Sequence, residues 1–372
     1  MQSLLYGRHR QRLYPLVLFC VLTSLFALHA PPAQALQRSV PFAYHFRGGH
    51  FSRWHHATAP VDADCRINQG QPCYSPQEMW RAYNLLPILS AGYRGAGQTI
   101  VIINSFGSPT ALSDLQTFDQ DYGLPDPPSF HVLAPLGSVP FNVNNQDQLA
   151  WAEETSLDVQ WAHAMAPLAN IVLLTSPISE TQGLQGMPQF LALELYALNH
   201  NLGTIISQSW GTTENTLFTP QGKQMLDGFN TMYQNAANMH VTVLASAGDT
   251  GSANPDINGN NYAFPTVGFP ASSPYVTAVG GTSLYADSNG TYRSELVWNR
   301  GAGTATGGGI SQYFHTPSYQ SDALPQSTLA QLHGFRALPD ISYNADALTS
   351  IPVYIGFLNS DQNGYYLFGG TS

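Results

Sequence analysis

The chain has 372 residues and is 43% hydrophobic, which is enough for one large domain or two ordinary ones with a substantial core. With 13 basic against 23 acidic residues, its formal net charge of −10 argues against nucleic acid as the main partner. Charged residues make up only 10% of the chain, against about a quarter in typical domains. A surface with so few charges changes little when carboxylates protonate, which suits an acidic, extracellular setting.

The first 35 residues have the order of a secretory signal. Arg8, Arg10 and Arg12 precede an apolar run over residues 13–28, and Ala33-Gln34-Ala35 follows. The run is short for a membrane span and no later segment is long enough, so an uncleaved anchor is the lesser alternative. We therefore expect residues 1–35 to be a signal peptide. The mature protein is expected to be secreted, extracellular and without a membrane attachment.

Cleavage after Ala35 would remove Cys20 and leave Cys65 and Cys73 as an even pair in an exported chain. This pair favours a disulfide over a free pair or a metal site, because no Cys-x-x-Cys or His-Glu-x-x-His pattern accompanies it. Residues 36–72 are polar, rich in His and Arg, and without a clear period. We expect them to form a short, loosely ordered leader.

From Cys73 onward, short β-branched runs alternate with helical patterns. Ser75 and Glu78 are typical of a helix start, in which serine caps and glutamate follows three residues later. Further helices are predicted over 112–122, 151–165, 187–200 and 221–239, and buried strands over 99–104, 170–175, 203–207 and 240–246. This alternation predicts an α/β fold with a mostly parallel sheet flanked by helices, in one domain over residues 73–372. After residue 270 the pattern is more irregular.

Two carboxylates lie on the apolar face of the helix predicted over 151–165. At 3.6 residues per turn, Glu154 and Asp158 project the same way as Trp161, whereas His163 falls on the opposite, polar side. Like charges four residues apart repel each other, and burial raises the pKa of a carboxyl group. The pair therefore indicates proton chemistry, and a chance pair on a surface helix or a structural buried acid is the alternative.

Two of the predicted strands run into unusual polar sequences, Ser207-Gln-Ser-Trp-Gly and Ser246-Ala-Gly-Asp-Thr-Gly. In open parallel sheets, ligands bind beyond the carboxyl ends of the strands. The second sequence makes Asp249 a candidate site residue, with an ordinary Asp-containing turn as the alternative.

The sequence ends with Phe368-Gly-Gly-Thr-Ser372, in which Ser372 is a candidate nucleophile and a frayed tail is the alternative. Gly280-Gly-Thr-Ser283 repeats the same tetrapeptide earlier in the chain. Because it follows a predicted strand, we expect this copy to form a structural turn.

Together these pieces resemble the sedolisin family of serine-carboxyl peptidases. The resemblance covers residues 73–372 and rests on nine motifs in one order: Glu154-x-x-x-Asp158, Gln160-Trp-Ala-His-Ala-Met-Ala-Pro, Ser207-Gln-Ser-Trp-Gly, Ser246-Ala-Gly-Asp, Phe269-Pro-Ala-Ser-Ser-Pro, Val279-Gly-Gly-Thr, Gly307-Gly-Gly, Pro339-Asp-Ile-Ser and Gly370-Thr-Ser372. It implies a three-layer subtilisin-like fold, with a mostly parallel central sheet between helices.

The resemblance also implies a role for each matching residue. Ser372 matches the nucleophile, Glu154 the general base, and Asp158 the acid that orients and tunes Glu154. Asp249 matches the oxyanion-hole residue, a carboxylic acid that can donate a hydrogen bond only while it is protonated. Because a carboxylate base has an ordinary pKa about two units below that of imidazole, both features favour acid pH. The resemblance thus implies a secreted, acid-acting serine endopeptidase that works through an acyl-enzyme.

Ser209, Trp210 and Gly211 resemble the family's substrate-binding edge, to which an extended peptide adds as a strand. A core position is the alternative for Trp210. Protein or peptide substrates are the expected partners, and we expect a monomer.

The family serine opens a helix, and a calcium-binding loop lies nearer the C-terminus. Both would lie beyond Ser372, so calcium is expected as a cofactor but its ligands would follow residue 372. We accordingly expect the peptidase domain over 73–372 to lack its C-terminal part, and a protein of these residues alone to have little or no activity.

Three other functions remain open from the sequence. The first is a non-catalytic secreted peptide-binding protein, or an inactive truncated fragment of a peptidase. The second is a glycosidase that uses Glu154 and Asp158 as its acid pair. The third is a conventional Ser-His-Asp protease, with His163 as its base.

Overall fold

The computed structural model describes Trp54, residues 58–301 and residues 304–372. The signal peptide expected over residues 1–35 and the first part of the expected leader lie outside the described residues. In the described ranges, no helix combines the length and the apolar character that crossing a bilayer requires.

A central sheet organises the fold. Its strands are β1 (Thr99–Ser105), β2 (Phe130–Leu133), β3 (Asn170–Ser176), β4 (Ile205–Gln208), β6 (Thr242–Ser246), β8 (Thr277–Ala286), β9 (Tyr292–Val297) and β12 (Ile341–Asn344). Over the described residues, seven strands pair in parallel in the order β12-β8-β6-β4-β1-β3-β2, and β9 pairs antiparallel with β8. The predicted mostly parallel sheet is therefore confirmed.

Three small antiparallel pairs lie outside this sheet in the described part of the chain. They join β5 (Thr212–Thr213) with β7 (Gly268–Phe269), β10 (Gly309–His315) with β11 (Phe335–Leu338), and β13 (Ile351–Ile355) with β14 (Gly364–Phe368). The region after residue 270, which looked irregular from the sequence, therefore contains β8 to β14.

The helices are α1 (Asp62–Gln69), α2 (Pro76–Ala82), α3 (Leu86–Ser90), α4 (Ala111–Tyr122), α5 (Gln146–Met165), α6 (Met187–Asn199), α7 (Pro220–Asn238), α8 (Ser318–Ala323) and α9 (Gln326–Leu332). Short 3₁₀ turns span Glu214–Leu217 and Ala347–Thr349. The capping box predicted at Ser75 and Glu78 is confirmed at the start of α2.

The alternation of side chains along β1 shows how the two faces of the sheet are covered. Val101 and Ile103 lie in a cluster with buried residues of α6 and α7, among them Phe190 and Phe229. Ile100 and Ile102 lie in a second cluster, with residues of α4 and α5. Because side chains of a strand point alternately to opposite faces, β1 is buried on both, and the fold has three layers.

Helix α5 differs from the amphipathic helix predicted over 151–165. It begins earlier, at Gln146, where the side chain of Asn145 accepts hydrogen bonds from the helix start. Its expected polar side is buried, because β13 covers it. The amide side chain of Gln160 exchanges two 2.8 Å hydrogen bonds with the backbone of Tyr354 on β13.

The turn expected at Gly280-Gly-Thr-Ser283 is wrong, because these residues lie inside β8. The glycines reflect close packing. A Cβ at Gly280 would meet Pro339 at 2.5 Å, and one at Gly281 would meet Ala345 at 2.6 Å. A glycine within a strand commonly marks such a close approach by another segment.

Part of the expected leader is folded. Residues 62–69 form α1, and Cys65 is joined to Cys73 by a disulfide with an S–S distance of 2.00 Å. Both sulfur-bearing residues are fully buried. The disulfide attaches α1 to the segment that leads into α2.

Candidate active site

The structure brings the four candidate catalytic residues together at the carboxyl edge of the sheet. Glu154 and Asp158 lie on α5, Asp249 follows β6, and Ser372 follows β14. Asp158, Ser372 and Asp249 all act on the pKa of Glu154, which places the four groups around one point. Glu154, Asp158 and Asp249 are 0%, 8% and 2% exposed.

Two hydrogen bonds hold the carboxyl group of Asp158. Ser209 Oγ donates to Oδ1 at 2.6 Å, and Asn104 Nδ2 donates to Oδ2 at 3.0 Å. Burial raises the pKa of Asp158 from 3.8 to about 6, and the two hydrogen bonds act against this rise. They favour the ionised form of Asp158 over its neutral form.

Glu154 is poorly suited to carry a negative charge. Burial, and then the charge of Asp158, raise its pKa well above the ordinary 4.5, while the Ser372 hydroxyl lowers it. No hydrogen bond of standard geometry reaches the Glu154 oxygens or Ser372 Oγ within the described residues. The carboxyl group of Glu154 and the hydroxyl of Ser372 are therefore neighbours, but they are not oriented for a hydrogen bond with each other. Because Asp158 accepts two hydrogen bonds and Glu154 accepts none of standard geometry among the described residues, a proton shared by the pair is favoured on Glu154.

Asp249 anchors the backbone that leads to Ser372. Its Oδ1 accepts hydrogen bonds at 2.8 Å from both the N–H and the hydroxyl of Thr371, and that hydroxyl also accepts from Gly248 N at 3.0 Å. Gly370 has a φ of 149°, and an added Cβ would lie 3.0 Å from Asp249 Oδ2. The glycine before Thr371 thus allows the carboxyl of Asp249 to approach the backbone.

The expected substrate-binding residues have different environments. Trp210 is fully buried and packs in the core with Phe190 at 4.6 Å and Phe229 at 5.9 Å between ring centroids. Its side chain is therefore a core side chain, the alternative left open by the sequence. Ser209 connects this segment to Asp158, and Gly211 contributes backbone only.

His163 lies in the structural environment that its position on α5 suggested. Its Nε2 lies 2.8 Å from Pro125 O and 3.3 Å from Asp119 Oδ1. Burial lowers its pKa. Its ring therefore connects α5 to α4 and the loop that follows, and it is not among the groups that act on the pKa of Glu154.

The resemblance places the calcium ligands beyond Ser372. Among the described residues, no group of three or more His, Cys, Asp or Glu side chains could hold a metal. No calcium ligand is therefore assigned within residues 58–301 and 304–372, and no chemical step is derived through a metal.

Sequence reasoning missed Asn104. Its side chain is fully buried and donates to both Asp158 and Thr155. One signal was available, because a polar amide ends the apolar run of β1 at the carboxyl edge where ligands bind. The partner of that amide could not be read from the chain, since it lies 54 residues away.

We expect the folded protein to be more stable in acid than at neutral pH. Burial raises the pKa of Asp114 to about 6 and that of Asp119 to about 8, from 3.8. Between pH ~4 and these values the folded chain binds more protons than the unfolded chain, so the free energy of unfolding falls as pH rises. The lowered pKa of His163 has the opposite effect. Below about pH 6.5 the unfolded chain binds a proton at His163 more readily than the folded chain does, so the free energy of unfolding falls as pH falls.

Thermal unfolding measured at several pH values tests this expectation. The Tm should be lower by roughly 5–10 °C at pH 8 than at pH 5. Asp119→Asn, which removes one of the titrating groups, should make the dependence shallower. A Tm that stays level or rises between pH 5 and pH 8 would contradict the assigned burial of these carboxyl groups.

The order of the strands, the helical layers and the position of the site define a subtilisin-like α/β fold. The profile of the subtilase family matches residues 144–372, and the chain belongs to this family.

Among curated proteins, the chain is 34% identical to kumamolisin of Bacillus sp. (strain MN-32) over 301 residues, which are 80% of this chain and 50% of that protein. It is 30% identical to sedolisin of Pseudomonas sp. (strain 101) over 276 residues, 71% of this chain and 44% of that one. Tripeptidyl-peptidase 1 of Homo sapiens is 31% identical over 58% of this chain and 38% of its own. The chain thus spans half or less of the length of these relatives.

Among solved structures, the chain is similar to Pseudomonas sedolisin, a serine-carboxyl proteinase complexed with two molecules of pseudo-iodotyrostatin. The TM-score is 0.62 and the identity 28%, over 81% of this chain and 77% of that one. The resemblance to the sedolisins and the subtilisin-like fold implied by the sequence are therefore confirmed.

Proposed function

We propose that the protein is a secreted, acid-acting serine-carboxyl endopeptidase whose substrates are proteins or peptides. The observation that carries this proposal is the burial of the Glu154 carboxyl group beside Asp158, Asp249 and the Ser372 hydroxyl. Secretion is supported by the order of the first 35 residues. A monomer is proposed as the working form.

In the proposed acylation step, Ser372 Oγ attacks the carbonyl carbon of the scissile peptide bond. Glu154 accepts the hydroxyl proton as its own proton moves to Asp158, so the pair ends with two protons. It can then return one proton to the leaving amine, and the ester on Ser372 is later hydrolysed by water. The singly protonated pair is therefore the reactive form, since a fully protonated pair has no acceptor for the serine proton.

Asp249 is proposed to stabilise the negative oxygen of the tetrahedral intermediate. A neutral carboxylic acid has one O–H donor and can still accept hydrogen bonds on its other oxygen. Oδ1 accepts from Thr371, and Oδ2 adjoins the Gly370 backbone near Ser372. Ionisation of Asp249 would remove the donor, so this role limits activity to pH values at which the acid is neutral.

Cleavage of a denatured protein substrate between pH 3 and pH 9, by the product of the full reading frame, tests the proposal. We expect a maximum below neutral pH and complete loss in Ser372→Ala. Retention of cleavage in Ser372→Ala would refute the nucleophile, and a protein that binds peptides but never cleaves them would favour the non-catalytic peptide-binding alternative.

A second test concerns Asn104 as a positioning residue. Asn104→Ala removes a hydrogen bond that favours ionised Asp158, so Asp158 should ionise only at higher pH. In the pH profile of kcat/KM, the fall in activity on the acid side should therefore move to higher pH by about one unit. Thr155→Val is the matched control, because it removes the other acceptor of Asn104 and leaves Asp158 untouched. A fall that stays at the same pH in Asn104→Ala would exclude this role.

A further inference from the structure

Arg300 and Asp346 form an ion pair that the proposed mechanism does not use. Arg300 Nε and Nη2 both donate to Asp346 Oδ2, at 2.7 Å and 2.5 Å. The same oxygen accepts from Ser283 Oγ on β8 at 2.5 Å, and Oδ1 accepts from Leu348 N at 3.0 Å. Asp346 is 1% exposed, whereas the side chain of Arg300 is 34% exposed. Because charge-assisted hydrogen bonds are among the stronger ones in proteins, this carboxylate is firmly held.

The arginine of this pair lies in two antiparallel segments that support the loop of Asp249. These bracing segments are residues 298–301 and 304–306. Ala305 donates from its N to Asp249 O at 3.0 Å, and its own O accepts from Gly251 N at 2.9 Å. The bracing segments therefore contact the backbone of the oxyanion-hole candidate directly.

The aspartate of this pair lies beside the backbone that leads to Ser372. The O of the preceding residue, Ala345, accepts a hydrogen bond from Gly370 N at 2.7 Å. The following residue, Ala347, is so close to Gly369 that a Cβ on this glycine would lie 2.4 Å from Ala347 N. Movement of this segment would therefore displace the two glycines and the nucleophile that follows them.

Together these contacts form a closed ring. Asp249 is bound at its backbone O by the bracing segments and at its carboxyl group by Thr371. The chain before Thr371 contacts residues 345–347, and the ion pair joins those residues back to the bracing segments. Gly248, with a φ of 104°, precedes Asp249, and Gly370 precedes Thr371. Glycine gives a backbone little rigidity of its own, so the positions of these two loops depend on contacts from outside.

We propose that Arg300 and Asp346 are positioning residues, whose ion pair holds the oxyanion donor Asp249 at the correct distance from the nucleophile Ser372. Neither residue exchanges a proton or touches the substrate in this role. Catalysis is sensitive to such placement, because a displacement of about 1 Å can cost on the order of 10²-fold in rate. The inference rests on the proposed function, since it assigns support for that same site.

Steady-state cleavage of a fluorogenic octapeptide of Ala, Leu and Phe, by the product of the full reading frame, tests this role. Arg300→Met keeps a long side chain but removes the donors, so kcat should fall on the order of 10-fold while KM stays within about twofold. Both donors of Arg300 converge on one oxygen, which a lysine ammonium can also reach. Arg300→Lys should therefore bring kcat back to within about threefold of the starting protein.

Arg293→Met is the matched control for the loss of an arginine. Arg293 pairs with Asp287 at 2.8 Å, but its side chain is 66% exposed and takes no part in the ring. This variant should keep kcat and KM within about twofold of the starting protein. Thermal melts of all variants show that each is folded at the assay temperature.

Binding of a peptide aldehyde measures the same alignment without cleavage. Ser372 Oγ adds to the aldehyde carbon, its proton passes to the carboxyl pair, and the carbonyl oxygen gains the charge on which Asp249 acts. The matched peptide alcohol has no carbonyl group and reports on binding in the groove alone. The ratio of the two affinities should fall on the order of 10-fold in Arg300→Met and in Asp346→Asn, and no further in the double variant, because all three lack the same ion pair.

The outcomes separate this inference from the proposed function. A rise in KM with unchanged kcat in Arg300→Met would overturn the inference and assign Arg300 to substrate binding. An unchanged affinity ratio in Asp346→Asn, or a kcat in Arg300→Lys as low as in Arg300→Met, would overturn it as well. These two variants also decide the matter if Arg300→Met does not fold. A starting protein that binds the aldehyde no more tightly than the alcohol would refute the proposed function and the inference together, whereas a preference for the aldehyde that every variant retains would refute the inference alone.

Discussion

Glu154→Gln is expected to lower kcat by about 10³–10⁴-fold, with little change in KM. The amide has nearly the shape of the acid but cannot accept a proton from Ser372, so the acylation step loses its base. Because Glu154 is fully buried among Asp158, Asp249 and Ser372, solvent cannot readily supply a substitute base. Steady-state kinetics on a peptide substrate at the pH of maximal activity measures the loss.

Glu153→Gln is the matched control for this change. Glu153 is the preceding residue on α5 and is partly exposed, so it reports the effect of removing an acid from the helix without removing the base. It should leave kcat within about twofold of the starting protein. Comparable losses in the two variants would show that Glu154 acts through the helix and not through Ser372.

Asp249→Ala is expected to lower kcat by about 10²–10³-fold while peptide binding survives. The substitution removes the donor to the developing oxyanion and also the acceptor that holds both hydrogen-bonding groups of Thr371. The second loss would allow Ser372 to move, so the Ala variant alone does not separate the two roles.

Asp249→Asn separates them. The amide oxygen can still accept from Thr371, and the amide N–H₂ donates at every pH. This variant should keep activity within about tenfold of the starting protein and extend it to higher pH. Wild-type rates in Asp249→Ala would refute the oxyanion role, and an Asp249→Asn variant that stays active without extending its activity to higher pH would assign Asp249 to positioning of Thr371 only.

Much of the layered fold could be predicted because the residue pattern within each strand or helix already indicates that element. The run beginning at Thr99 was expected to end at Asn104 and β1 ends at Ser105, and the helix expected over 187–200 is observed over 187–199. These segments are buried on both faces or on one continuous stripe, so their residue pattern alone predicts the element.

The errors arise where distant segments decide the environment. The polar side of α5 could not be recognised as buried, because β13, which covers it through Gln160, lies 194 residues further along the chain. Likewise, Gly280 and Gly281 are typical of turns until Pro339 and Ala345 are known to pack against them. Local pattern carries no information on which segment will approach.

The same reasoning explains what could be predicted of the site. Glu154 and Asp158 are four residues apart on one helix, so helical geometry alone places them together. Asp249 and Ser372 were joined to them by resemblance to a family, since their proximity depends on the order of strands in the sheet. The hydrogen bonds of Asn104 and Ser209, and the ion pair of Arg300 with Asp346, follow from packing that only the folded structure contains.

The central claim is that a glutamate, and not a histidine, activates Ser372. Rapid-quench measurement of acyl-enzyme formation on Ser372 between pH 3 and pH 9 tests it most directly, with the modified serine located by mass spectrometry. We predict that acylation is fastest below neutral pH, is lost in Glu154→Gln and persists in His163→Gln. Acylation that rises to a plateau above pH 7, persists in Glu154→Gln and is lost in His163→Gln would contradict the account.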